Sequence, residues 1–303
     1  MTRDYYNRRI GRDAQRPNLT LRETTELVAE AYTFLDQQGY LQRSFGFFCV
    51  DEREVAGRDG YELHKPFLLE TGIRIEGSVS EALKTGDEIF LFTLIEFVHD
   101  HVAKPVAGGW HHSFSGCGWH YRQDDKFDEC AARDEWRTKC SKALKYYDGG
   151  YQLSEAGEIL RIAPDGMTPL LHAELPSKTN KTDREKVSNA VRTFQLGRST
   201  RQERKQAVRD LVDVLEFHRP HVKKHLFTKD ESDIFNMANN FALRHHNSIQ
   251  KDDYDDTFLT WIFFLYLSTV HLILGRVTGE TAFVSKSPSV SPPLVADLDD
   301  LPF

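Results

Sequence analysis

The pattern of apolar positions predicts several helices in the first half of the chain. Residues 20–38 carry apolar side chains at helical spacing and open on a Thr20-x-x-Glu23 capping box. Residues 87–102 form an apolar run of helix length that begins with two acidic residues, which suit a helix N-terminus. Residues 127–147 predict a third helix, which ends at a pair of glycines.

Shorter segments between these helices predict some β structure. The stretch 61–75 is short and apolar and contains Pro66, which favours an irregular or edge strand. Residues 103–126 are rich in glycine, histidine and aromatic residues and predict a long loop. Residues 151–162 alternate in polarity on either side of a turn, as in a small hairpin. We therefore expect an α+β fold for the first part of the chain.

The second half predicts only helices. A polar stretch at 174–184 predicts a domain boundary, and the apolar pattern after it has helical spacing throughout. Four antiparallel helices joined by short loops would form a bundle. The predicted helices are 184–196, one that begins at a Ser199-x-x-Gln202 cap and ends at Pro220, one that begins at a Thr228-x-x-Glu231 cap, and 257–274.

These elements predict a mainly α protein with an α+β domain followed by an antiparallel helical bundle. The first domain spans 1–175 and is expected to regulate or recognise, and the helical domain spans 180–278. The segment 284–303 is rich in proline and acidic towards its end, and predicts a flexible tail or an extended segment that docks on a partner.

The apolar run 257–274 admits two interpretations. It has 18 positions without a formal charge, close to the lower limit for a membrane-spanning helix. Polar residues within it, including Ser268 and His271, and the acidic segment before it favour a buried core helix instead. The polar N-terminus resembles no secretory signal, and four scattered cysteines suggest no disulfide scaffold. We therefore expect a cytoplasmic protein that does not bind a membrane.

The amino-acid composition excludes two broad classes of protein. The 303 residues are 40% hydrophobic, which excludes disorder of the whole chain, and the net charge of −7 excludes a globally basic nucleic-acid-binding protein. A local basic cluster remains within 192–209, where six basic residues accompany one acidic residue. It is either an RNA-binding patch or a solvated helix face. The candidate RNA-binding residues in it are Arg198, Arg201, Arg204, Lys205 and Arg209.

A polar stripe follows the third helix of the predicted bundle, at Asn236, Asn240, Arg244 and Asn247. Asparagine is unfavourable inside helices because its side chain competes for backbone hydrogen bonds, so the stripe needs a compensating role. One role is structural, with the amides bonding to neighbouring helices. The other is a phosphate-handling site, since arginine binds phosphate bidentately and histidine transfers protons. That site would combine Arg244, His245, His246 and Asn247 with Asn240 as an RNA contact.

Residues 211–274 resemble the C-terminal part of AbiJ-like abortive-infection proteins, which belong to the HEPN superfamily of helical domains. The resemblance lies in the helix order and in the run Phe241-x-x-Arg244-His245, which precedes a very apolar last helix. It implies a metal-independent endoribonuclease that needs no cofactor and acts on RNA in anti-phage defence or as a toxin. It also implies a homodimer through the helical domain, with the active site between protomers, and a partner protein or antitoxin.

The family motif is an arginine, four to six residues, then a histidine. Arg244 matches the arginine and His245 matches the polar residue that often follows, but Ile249, Gln250 and Lys251 stand where the histidine is expected. A second match to the spacing, Arg219 and His225, lies beside Pro220, and we interpret it as a chance match. The alternatives are therefore a nuclease and a catalytically inactive dimerisation and ligand- or nucleic-acid-sensing module. The candidate catalytic residues are Arg244, His245, His246 and Asn247.

The resemblance implies a transesterification. A histidine takes the proton of a ribose 2′-OH, the oxygen attacks the adjacent phosphorus, and Arg244 stabilises the added charge. The product carries a 2′,3′-cyclic phosphate, and the need for the 2′-OH restricts the substrate to RNA.

A second candidate region is rich in histidine and cysteine. It admits a zinc site, a loop whose aromatic residues are buried while its histidines bond nearby polar groups, or a loop that recognises a ligand or phage component. The segment has no CxxC or HxxxH pair, so we predict no metal. Its members are His99, His101, His111, His112, Cys117, His120, Cys130 and Cys140.

Overall fold

The structure is a computed structural model that describes residues 6–9, 17–110, 118–164, 166–226, 228–240, 255–280 and 284–285. It is mainly helical with small two-stranded antiparallel sheets, which confirms the predicted mainly α class. The chain divides into two compact units. The first comprises Met1–Ile162 and Gln195–Arg198, and the second comprises Ala163–Phe194 and Ser199–Phe303.

The described residues of the first unit form helices and three short antiparallel strand pairs. Its helices are α1 (Tyr6–Arg9), α2 (Leu21–Gln37), α3 (Gln42–Phe45), α4 (His64–Thr71), α5 (Val79–Thr85), α6 (Glu88–His101) and α7 (Glu129–Leu144). The paired strands are β1 (Phe47–Cys49) with β2 (Arg53–Val55), β3 (Lys104–Ala107) with β4 (Lys126–Asp128), and β5 (Tyr151–Leu153) with β6 (Ile159–Arg161).

The local sequence signals for α2, α6, α7 and the last hairpin are confirmed. Thr20 and Glu23 form a reciprocal capping box at the start of α2, and the Asp87 carboxylate accepts from the backbone N–H of Phe90 at the start of α6. The strand predicted over 61–75 is wrong, since this stretch contains α4. Pro66 lies in the first turn of α4, where the backbone N–H that proline lacks would have no helical partner.

The core of the first unit forms around α6. Leu91, Leu94, Ile95 and Val98 of this helix are fully buried. The indole of Trp136 on α7 is also buried and donates a hydrogen bond of 2.9 Å to the carbonyl of Ile95. A buried tryptophan N–H needs such a partner, so this bond sets the rotation of α7 against α6.

The described residues of the second unit form six helices and one short strand pair. The helices are α8 (Thr168–Leu171), α9 (Lys181–Gln195), α10 (Arg201–Phe217), α11 (Arg219–His225), α12 (Thr228–Asn240) and α13 (Asp256–Thr278), and β7 (Ala173–Glu174) pairs with β8 (Val284–Ser285). The α10 cap lies one residue later than predicted, at Thr200 with Glu203. Residues 286–303, most of the predicted tail, lie outside the described residues.

Residues 163–175, predicted to end the first domain, belong to the second unit. Leu170, Leu171 and Leu175 pack against the apolar core of the helices, which explains their membership. Within the described part of the chain, α13 is the one helix long and apolar enough to cross a membrane, yet 67% of its most apolar stretch is buried. The helix therefore has the burial of a core element.

Candidate functional site

The predicted catalytic residues Arg244, His245, His246 and Asn247 lie outside the described residues. Asn240 is the last residue of α12, and its side chain is likewise outside the described part. The structure does describe the two helix ends that this segment joins, together with all five residues of the predicted basic patch.

An arginine pair holds the first turns of α10 and α13 together. The Arg204 side chain is 5% exposed, and its guanidinium donates to Asp256 Oδ2 at 2.7 Å and to Thr260 Oγ1 at 3.0 Å. It also lies 4.5 Å from the ring centroid of Phe194, in a cation–π contact. Arg201, more exposed, approaches Asp256 Oδ1 at 3.4 Å. The buried role of Arg204 could have been predicted from the sequence, because Arg204 lies on the apolar face of α10 with Ala207, Val208 and Leu211.

The five basic residues differ in accessibility. Arg204 and Lys205 are buried, so neither presents its charge to solvent as an RNA-binding residue at an open surface would. Arg198 and Arg201 are exposed, while Arg209 is half-buried and donates to Gln206. The exposed residues among the five are therefore Arg198, which belongs to the first unit, and Arg201, which belongs to the second.

The next histidine in sequence after the Arg244 run cannot supply the missing catalytic group. His271 lies on α13, is 2% exposed and is surrounded by the apolar core of the second unit. Burial lowers its pKa to about 4, because an imidazolium would lose its hydration there. His271 is therefore neutral near pH 7 and inaccessible to a polynucleotide.

Three imidazoles form a row along α11. This row was not predicted from the sequence. The ring centroids of His218 and His221 are 6.2 Å apart, and those of His221 and His225 are 6.5 Å apart with planes within 9°. His221 and His225 are exposed. The signal lies in the spacing, since positions three and four apart share one helix face.

His218 anchors this row to α9. Its Nε2 lies 2.6 Å from Asp183 Oδ2, and both side chains are buried. Asp183 also accepts from Asn180 Nδ2 at 2.6 Å. Because a carboxylate only accepts hydrogen bonds, the His218 Nε2–H must donate, which fixes the ring orientation.

Arg219, the arginine of the second motif match, has a structural contact. Its Nε donates to Glu231 at 2.9 Å, and its guanidinium lies 4.5 Å from the ring centroid of Phe235. Glu231 is buried, so this ion pair joins α11 to α12.

The described histidines of the first unit are held by neighbouring groups. The buried His99 bonds Asp100 at 3.1 Å, and His101 Nδ1 donates to the Phe97 carbonyl at 2.9 Å. His120 stacks on Phe47 with centroids 4.5 Å apart. Among the residues with described positions, no group of three or more His, Cys, Asp or Glu is placed to hold a metal ion. His111, His112 and Cys117 lie outside the described residues.

Comparison of the chain with family models, with curated proteins and with solved structures finds no match.

Proposed function

We propose that this protein is a metal-independent endoribonuclease whose helical unit is a HEPN-like domain, acting in anti-phage defence or as a toxin. The observation that carries the proposal is the pairing of Arg201 and Arg204 with Asp256, which joins the first turns of α10 and α13. Residues 241–254, which contain Arg244, come directly before the start of α13 in the sequence.

The joined first turns support a HEPN-like bundle. In an up-and-down bundle the second and fourth helices start at the same end. Leaving aside the short α11, α10 and α13 are the second and fourth helices of the series α9, α10, α12 and α13. The stacked rings of Phe194 on α9 and Phe263 on α13, with centroids 3.8 Å apart, add a contact between the first and last helices of that series.

The same end carries charges of both signs, since Arg201 is exposed and so are Asp255 and Asp256. Residues 241–254, which include Arg244, come directly before Asp255 in the sequence, and the neighbouring Asp256 pairs with the exposed Arg201. We propose that Arg244 and Arg201 both attract a phosphate backbone. The substrate we propose is therefore RNA, without a metal or another cofactor.

The proposed chemistry is balanced by the protein's own groups. His245 or His246 accepts the 2′-OH proton, the 2′-oxygen forms a bond to phosphorus, and the bond from phosphorus to the 5′-oxygen breaks. Arg244 stabilises the extra negative charge in the transition state. The leaving 5′-oxygen takes up a proton from the other of these two imidazoles, and a 2′,3′-cyclic phosphate remains.

A catalytically inactive HEPN-like module for dimerisation and ligand or nucleic-acid sensing is the second candidate. The observation that favours it is the sequence Ile249-Gln250-Lys251, which replaces the histidine expected from the family motif. In both cases we propose a cytoplasmic homodimer formed through the helical unit, with a partner protein or antitoxin. The buried character of α13 supports a role without a membrane.

The test compares Arg244→Ala with Arg276→Ala on RNA in EDTA. Arg276 is an exposed arginine of α13, so its loss changes the charge of the same unit by the same amount. We expect cleavage by the wild type and by Arg276→Ala, and a loss of about 100-fold or more in Arg244→Ala. Intact RNA with the wild-type protein over a broad substrate panel would favour the inactive module.

A further inference from the structure

We propose that a small cleft of the first unit binds the guanine base of a free nucleoside. The cleft has a volume of about 140 Å³ and is lined by residues at the start of β1, at the end of β2 and at 121–124. None of these residues belongs to the proposed ribonuclease site. The inference concerns the first unit alone and does not depend on cleavage of RNA.

The volume of the cleft limits it to one planar ring system. Pockets that enclose a whole drug-sized molecule have about 300–1,000 Å³, and a cavity of about 150 Å³ holds benzene. The cleft therefore accepts one edge of a planar molecule and leaves the rest of that molecule in solvent. Its lining includes the apolar side chains of Phe47, Val55 and Ala56, which suit the flat faces of a base.

The ring of Tyr121 is a fixed part of the lining. Gly39 and Gly109 have positive φ angles of 75° and 81°, and a Cβ at either position would lie within 2.8 Å of that ring. The Gln42 amide accepts from the backbone N–H of Tyr121 at 2.7 Å and donates to the carbonyl of Trp119 at 3.0 Å. The cleft is therefore formed before a ligand arrives, which reduces the ordering cost of binding.

The turn that carries Asp124 is also held in place. The Asp125 carboxylate accepts from the backbone N–H groups of Gly109 at 3.2 Å and Arg122 at 2.9 Å. The Arg122 guanidinium donates to both oxygens of Glu52, at 2.7 Å and 2.8 Å, so its charge is balanced. Asp124 is exposed, and its carboxylate has no hydrogen-bond or ion-pair partner among the described residues.

The Asp124 carboxylate favours the edge that guanine presents. A carboxylate only accepts hydrogen bonds, and it can take two parallel ones from a single partner. Guanine has two adjacent N–H donors, at N1 and at the N2 amino group, whereas adenine has an acceptor at N1 and the base of inosine lacks the amino group. Because a carboxylate repels phosphate, the ligand we infer is an uncharged nucleoside.

The experiment is isothermal titration calorimetry of the protein with guanosine, inosine and adenosine. Asp124→Asn removes the carboxylate, and Ala56→Leu adds an apolar side chain to the lining of the cleft. Glu76→Gln removes an exposed carboxylate of the same unit outside the cleft and serves as the matched control. All three side chains are exposed, so circular dichroism should show unchanged folding.

We expect guanosine to bind the wild type and Glu76→Gln equally well. Inosine should bind about ten-fold more weakly because it makes one of the two hydrogen bonds, and adenosine about 100-fold more weakly because its N1 acceptor faces the carboxylate. Asp124→Asn should weaken guanosine binding about ten-fold or more. Ala56→Leu should abolish binding of all three nucleosides, since the added side chain takes up the space for the base.

Four results would overturn the guanine site. They are no binding of guanosine by the wild type, equal affinity for the three nucleosides, guanosine binding that Ala56→Leu leaves intact, and tighter binding of free arginine than of guanosine. Arginine has the same paired N–H donors, so the last result would assign the cleft to a guanidinium. Each of these results leaves the proposed ribonuclease function untouched, because RNA cleavage is measured separately.

Discussion

At the scale of single residues, burial separates side chains of equal charge. Arg204 and Arg201 lie on the same turn of α10 and both approach Asp256, yet Arg204 is buried and Arg201 is exposed. From the sequence alone, both arginines are predicted to belong to a basic patch. Arg204 is buried because its position on the helix lies among apolar residues. Its role is therefore to stabilise the bundle.

We predict that Arg204→Met destabilises the protein and Arg201→Met hardly does. The methionine keeps the apolar stem but loses hydrogen bonds to Asp256 and Thr260, at a cost of about 1.5–3 kcal/mol. The more exposed Arg201 pair contributes about 0–1 kcal/mol because water screens it. Urea denaturation at pH 7 measures both. Equal losses in the two variants would contradict the structural role of Arg204.

At the scale of elements, local sequence signals predict helix starts well where one signal stands alone. The box at Thr20 and Glu23 is an example. Two overlapping capping motifs precede α10, Ser199-x-x-Gln202 and Thr200-x-x-Glu203. The Thr200–Glu203 pair forms the capping box. Ser199 instead donates to the carbonyl of Thr193 near the end of α9 at 2.6 Å. Only the three-dimensional path of the chain distinguishes the two motifs.

We predict that Thr200→Ala lowers the free energy of unfolding by about 1 kcal/mol, because the first turn of α10 loses its side-chain acceptor. Thr200→Ser retains the hydroxyl and should cost much less. Thermal denaturation of both variants provides the comparison. A serine variant as unstable as the alanine variant would mean that the hydroxyl is not the stabilising group.

At the scale of the whole molecule, the sequence predicts the mainly α class because helical periodicity is a local property of long segments. The compact unit to which a residue belongs is not a local property of the sequence. Residues 163–175 belong with the helices of the second unit, and residues 195–198 belong with the first unit, because of packing between positions distant in sequence. The same holds for the candidate functional residues. The residue types at 198–209 and 217–225 can be read from the sequence, whereas the exposure of their side chains cannot.

We propose that the protein cleaves RNA without a metal, through attack by a 2′-OH of the RNA itself on the adjacent phosphorus. The most direct measurement is mass spectrometry of the ends produced from a defined RNA in EDTA. Attack by the 2′-OH should leave a 2′,3′-cyclic phosphate on one fragment and a 5′-OH on the other, and no cut where the ribose before the scissile phosphate lacks its 2′-OH. A 5′-phosphate end, or cleavage that continues at the 2′-deoxy position, would contradict it.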